Sequence, residues 1–206
     1  MSTIINGSSP SITFSDSTTQ ASAGLTAASP TIASGVLTYP NGATNGGYIN
    51  GGTAVASTSG TSIDFTSIPS WVKRVTVMMN GVSTNGTSLV QIQLGTTSGV
   101  ETTGYNSGAV IQASATLYTG NVTTGFVTGV SGYASASQLR YGTYIISLLG
   151  SNAWAGQGNI HDSSQSGLGA QCAGAKGLTA TLDRVRITTV NGTDTFDAGS
   201  INILYE

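Results

Sequence analysis

Charge is the scarcest resource in this chain. Charged residues fill 7% of its 206 positions, six Lys and Arg against eight Asp and Glu, for a net charge of -2. No basic surplus exists to neutralise phosphates, which excludes sequence-independent nucleic-acid binding. Cysteine occurs once, at Cys172. Neither an intrachain disulfide framework nor a cysteine-based zinc cluster can be built from it. No apolar run approaches the ~18 residues of a membrane-spanning helix, so no membrane insertion is expected. The opening MSTIINGSSP lacks a basic n-region and an apolar h-region, so no secretory signal is expected there. No repeat of roughly 20–50 residues, collagen triplet or heptad seam is visible, so the chain carries no long fibrous shaft of its own.

What the chain has in abundance is small and hydroxylated: 29 Gly, 28 Ser and 31 Thr. Disorder needs low hydrophobicity with high net charge. Here 38% of residues are hydrophobic and the mean hydropathy is +0.13, which favours an all-β protein with many turns. Near-zero net charge also promotes association. A surface this poor in charge suits one that is covered or shared between subunits.

The charges are unevenly placed. Residues 1–63 hold one, Asp16, and the other thirteen lie from Asp64 onwards. In the first segment the apolar pieces at 12–14, 32–39 and 48–49 are interrupted by Pro10, Pro30, Pro40, Gly46 and Gly47. Each piece is too short to bury a core of its own. Residues 1–52 therefore read as an extended arm that takes its order from a neighbour, and 53–206 as an independent domain.

From about residue 53 the apolar pattern has period two. Val75, Val77 and Met79 alternate with Arg74, Thr76 and Met78; Val90, Ile92 and Leu94 alternate with Gln91 and Gln93; Val185 and Ile187 alternate with Arg184, Arg186 and Thr188; Ile201 and Ile203 alternate with Asn202 and Leu204. One buried face per strand is the mark of antiparallel sheets. The fuller run 144–149 is expected to be buried on both faces. Turns are expected at Ser59-Gly60, Asn80-Gly81, Asn85-Gly86, Gly95, Gly120-Asn121, Gly150-Ser151, Asn191-Gly192 and Gly199. About eight to ten short strands and no helix predict an all-β, antiparallel β-sandwich of jelly-roll type.

Chemistry-bearing residues are few. His161-Asp162, followed by Ser163 and Ser164, is the one adjacent group that invites a relay. Chain neighbours do not normally converge as a Ser–His–Asp triad does, and no G-x-S-x-G elbow is present. The surrounding GQGNIHDSSQSGLG reads as a polar turn. Asp194 and Asp197 offer carboxylates to a Ca²⁺ ion, yet lack the remainder of a calcium loop, and read more simply as a turn. Arg184 and Arg186 share a strand face and suit ion pairs with Asp183 or Asp64. Cys172 reads as a small buried hydrophobe and Trp71 as core. No catalytic residue, cofactor or metal is expected. Aromatic residues beside Gly-rich pieces, Tyr105, Tyr118, Tyr133 and Trp154, are candidates to stack on the rings of a host surface glycan.

Residues 11–24, SITFSDSTTQASAG, resemble the F-x-D-G-T-x-Q-x-x-A element near the starts and joints of tailed-phage fibre and virion proteins, with Ser17 where that element has Gly. Residues 61–85, TSIDFTSIPSWVKRVTVMMNGVSTN, and 182–206, LDRVRITTVNGTDTFDAGSINILYE, resemble the terminal domain of phage tail-fibre-like proteins. The middle, about 96–175, matches least. The resemblance implies a structural protein of the virion surface, made in the bacterial cytoplasm and attached to other virion proteins. Its anchor would include Ile12, Phe14, Asp16, Leu37 and Tyr39, and its sandwich would be displayed as a short tail fibre or host-adhesion protein. A capsid decoration protein is the alternative, and a carbohydrate-active enzyme or lectin the third. A homo-oligomer is expected, with a trimer as its form.

Overall fold

The computed structural model describes residues 49–113, 115–163 and 168–206 in full, together with the backbone of five short strands between residues 4 and 38. The chain divides into two compact units, Met1–Tyr48 and Ile49–Glu206. The first holds β1 (Ile4–Asn6), β2 (Ser11–Thr13), β3 (Thr19–Gln20), β4 (Thr31–Ala33) and β5 (Val36–Thr38). β1, β2 and β3 form one antiparallel sheet, β4 and β5 another. Ile12 lies opposite Ile5 on one side and Gln20 on the other, and Leu37 lies opposite Ile32. Where it is described, the opening segment pairs with itself instead of running as one extended strand. Phe14, Asp16 and Tyr39 lie outside the described residues.

The boundary falls after residue 48, not after 52. The reason is backbone pairing: β6 (Asn50–Gly51) lies along Leu204 and Tyr205, and the Gly52 amide donates to the Ile203 carbonyl at 2.8 Å. The second unit continues with β7 (Val55–Ala56), β8 (Ser62–Phe65), β9 (Arg74–Thr84), β10 (Val90–Thr96), β11 (Gly99–Val100), β12 (Tyr105–Ala113) and β13 (Thr116–Val122). It closes with β14 (Phe126–Val127), β15 (Arg140–Gly150), β16 (Ala153–Asp162), β17 (Leu168–Gly177), β18 (Arg184–Thr189) and β19 (Phe196–Tyr205). No helix occurs among the described residues.

These strands make two antiparallel sheets packed as a sandwich. One has five strands in the order β11-β10-β18-β8, with β14 added to β10. The other has nine, in the order β13-β12-β17-β16-β15-β9-β19-β6, with β7 also on β19. Period-two burial supplies the core between them: Ile92, Leu94, Val185 and Ile187 from one sheet meet Val75, Val77, Tyr144, Ile146, Ile201 and Ile203 from the other. An aromatic chain runs through this core, Tyr105 edge-on to Phe126 at 5.3 Å and Phe126 tilted against Tyr144 at 5.6 Å.

Three local expectations are corrected. Gln91 and Gln93, placed on the open side of β10, are only 2% and 5% exposed. The segment after β13 covers them: Gln93 Nε2 donates to the Thr124 carbonyl and Thr124 Oγ1 to Gln91 Oε1, each at 2.8 Å. The run 144–149 is not buried on both faces. Tyr144 and Ile146 point inward, while Leu149 is 84% exposed. Four glycine-marked turns lie inside strands instead: Asn80-Gly81 in β9, Gly95 in β10, Gly120-Asn121 in β13 and Gly199 in β19. At Gly81 and Gly199 the β9–β19 register shifts, and both residues have positive φ, 66° and 90°. A bulge there bends the long strands without ending them.

The largest difference concerns β16 and β17. Their sequences, AWAGQGNIHD and LGAQCAGAKG, carry few β-branched residues, and the sequence pattern predicts that the first runs into a turn. They are ten-residue strands because small side chains are what this position needs. A Cβ on Gly156 would sit 2.7 Å from the Tyr144 ring, and one on Gly158 would sit 2.4 Å from it. The two glycines make the seat for that ring.

Candidate functional site

The reactive groups come first, since their placement decides whether a catalytic centre exists. His161 and Asp162 are consecutive in β16, and consecutive strand residues point to opposite faces. His161 is exposed, opposite Tyr141, with the rings 6.4 Å apart. Asp162 is 4% exposed and accepts a hydrogen bond from Gln138 Nε2, whose Oε1 accepts one from Arg140 Nη2. The two residues of the suspected relay are thus separated by the sheet itself. Ser163 opens the turn after β16, and Ser164 lies outside the described residues.

Arg140 lies directly across from Asp162 and is 2% exposed. Burial draws its guanidinium down to about 10, against the opposing pull of the Asp162 and Asp197 charges. A second buried charge lies in β17. Lys176 is 6% exposed, ion-paired with Glu101 and placed over the Tyr105 ring at 5.3 Å.

Asp194 and Asp197 do not converge on a metal position. Asp194 Oδ2 accepts the Ser88 amide at 2.9 Å, and Asp194 Oδ1 accepts Asn191 Nδ2 at 2.6 Å. Its lone pairs lock two neighbouring loops together, while Asp197 is exposed on β19. No group of three or more His, Cys, Asp or Glu is arranged to hold a metal among the described residues. The basic residues of β18 are also engaged as expected: Arg186 forks onto Asp64 at 2.7 and 2.9 Å, and Arg184 onto Asp183 at 3.1 and 2.8 Å. Cys172 is buried, and burial pushes its thiol up to about 12. Trp71 is half-buried against Tyr205, with ring centroids 5.9 Å apart.

The four candidate glycan-facing aromatics divide. Tyr105 and Trp154 are corrected: each is 3% exposed and neither presents a face to a ligand. Tyr105 begins β12 on its inward side, where its hydroxyl accepts from the Leu94 amide at 2.7 Å and donates to the Glu101 carbonyl at 3.0 Å. Trp154 stands on the inward side of β16, in line with Gly156, Gly158 and Ile160. Tyr118 is 38% exposed on β13 and meets Tyr133 edge-on, centroids 4.7 Å apart. The hydrogen bond that the Tyr133 hydroxyl donates to Tyr118 is the main cause that raises the Tyr133 phenol to about 12.

What remains is a surface that no individual motif announced. β12, β13, β15, β16 and β17 contain three charged residues, Arg140, Asp162 and Lys176, and all three are turned inward and buried. Their outward positions run Asn106, Gly108, Val110 and Gln112 on β12, then Gly169, Gln171, Ala173 and Ala175 on β17. On β16 they are Ala155, Gln157, Asn159 and His161, and on β15 Tyr141, Thr143, Ile145 and Ser147. This face carries no Lys, Arg, Asp or Glu, and several of its positions are glycine or alanine. Missing side chains leave two shallow depressions in it. One of about 470 Å³ is bordered by Gly108, Thr119 and Gln171, and one of about 410 Å³ by Tyr141, Asn159, His161 and Gly169. The sequence signal for this face was present: residues 102–175 carry only Arg140, Asp162 and the single His161 as titratable cations or anions near neutrality.

Comparison with family models, curated proteins and solved structures finds no match for the chain.

Proposed function

We propose that this chain is a structural protein of the surface of a tailed-phage particle. Its first unit attaches it to other virion proteins, and its β-sandwich is carried on the outside as a short tail fibre or host-adhesion protein. The observation that carries this reading is the division of labour within the sandwich. Among the described residues, the clusters around Asp162, Asp194 and Lys176 hold strands and loops together, whereas one broad face of the single chain, without charged side chains, is exposed for contact with another molecule. That is the construction of a binding module, not of a site for turnover.

The likeness to phage fibre domains supports the same reading. The two stretches that carry it are strand partners. β8 pairs with β18, Ile63 opposite Ile187, and β9 pairs with β19, Val77 opposite Ile203. They form one rib in each sheet. The middle of the chain, which resembles that family least, supplies β12, β13, β15, β16 and β17 and hence the open face.

An antibody raised against the sandwich tests the assignment by electron microscopy of purified particles. Label at the tail is expected. Label over the head moves the protein to the decoration role, and particles without label or chain refute a virion protein altogether.

A further inference from the structure

We infer that the uncharged face formed by β12, β13, β15, β16 and β17 is covered by a second copy of this chain. The inference does not rest on the phage reading. It starts from an inversion of the usual arrangement: outward positions of an exposed sheet normally carry interspersed charges of both signs. Here the charged residues of five adjacent strands all point inward, although burying each carries a desolvation cost. Depletion of charge is what marks the core of an interface.

The apolar residues agree. Leu149 at 84% and Leu117 at 63% are the two most exposed large hydrophobic side chains among the described residues. Leu117 belongs to this face, on its edge strand β13 opposite Gln112, and Leu149 stands at the end of β15 where the β15–β16 register shifts. That edge strand, TLYTGNV, has no Lys, Pro or charge of the kind that guards exposed edges.

The size also fits. Five strands ~4.8 Å apart and ~30 Å long present roughly 600 Å² in projection, and more as accessible surface. A stable interface of standard size takes about 800 Å² from each partner. A second copy is the occupant that the charge pattern favours, because it brings an equally uncharged surface and so buries no unpaired ion. A strongly charged partner would lose its own hydration here with nothing to compensate it. Small side chains on both sides let two such sheets approach to the ~10 Å of ordinary face-to-face packing.

Sedimentation of the full chain tests this. The wild type is expected to sediment as an oligomer at micromolar concentration. Gln157→Glu and Ala173→Glu, opposite one another at the centre of the face, should each weaken association about 100-fold. Gln157→Glu is nearly isosteric and exposed, so the circular dichroism spectrum should not change. Thr66→Glu, a new charge on an exposed residue away from the face, should leave the oligomer intact. A wild-type monomer, or an oligomer indifferent to Gln157→Glu and Ala173→Glu, overturns the inference. If that monomer binds a neutral-glycan array and Ala173→Glu abolishes the binding, the face is a sugar site instead.

Discussion

Lys176 shows how single residues of this sandwich are spent. Its ammonium sits over the Tyr105 ring and pairs with Glu101, while Thr179 donates to the same carboxylate through its amide at 2.8 Å and its hydroxyl at 2.6 Å. Burial pulls the Glu101 carboxyl up. The bonds from Lys176 and Thr179 and the Lys176 charge together outweigh this and hold it below its ordinary 4.5. A carboxyl lowered by folding adds stability above its unfolded value and loses it as pH falls through the folded one. Urea unfolding should therefore show stability dropping as pH falls below the ordinary carboxylate range, less steeply in Glu101→Gln. That variant should also be about 3 kcal/mol less stable at neutral pH, because Lys176 stays buried without its carboxylate. Identical pH profiles for the two proteins would remove Glu101 from this role. Among single residues, the sequence made the Arg186–Asp64 pair and the buried Cys172 legible, because strand parity and residue type decide both. It misplaced Tyr105 and Trp154, because their glycine neighbours suggested loops. The glycines of β16 are there to admit the Tyr144 ring, a contact made across strands.

At the scale of the element, the long strands depend on their bulges. β9 runs eleven residues and β19 ten, and both pass through a glycine with positive φ. A Cβ on Gly199 would fall 2.3 Å from the Gly81 carbonyl oxygen, in a backbone conformation that L side chains avoid. Gly199→Ala should cost about 3 kcal/mol or more in denaturant unfolding. Gly192→Ala is the matched comparison: its φ is +69° but nothing lies within 4 Å of the added carbon. It should cost only about 1 kcal/mol. Equal losses would mean that the close approach of β9 and β19 contributes nothing. The period-two strands β9, β10, β18 and β19 were readable from alternating Val, Ile and Leu. The Asn80-Gly81 pair was not readable as a bulge, because the same dipeptide serves hairpin turns, and only the partner strand decides between the two.

The whole molecule has two units with different characters. Among the described residues, the core of the sandwich runs from Ile63 in β8 to Ile203 in β19. The scarcity of charge over residues 102–175 was visible in the sequence, but the sheet composition and the side of the sheet that the few charges take were not, for a common reason. Pairing order is a property of distant segments, and an uncharged face is visible only once parity shows which side each charge takes. The charge-poor first unit, by contrast, was recognisable from composition alone, and its end moved by only a few residues once β6 was seen to join β19. Attachment through that first unit is the central functional claim. Particles made with the full chain, or with residues 49–206 in its place, test it by quantitative immunoblot after purification. The full chain should be present in the particles. The shorter chain should fold, keep a β-rich circular dichroism spectrum and remain in the unbound fraction. Equal incorporation of both would contradict the claim.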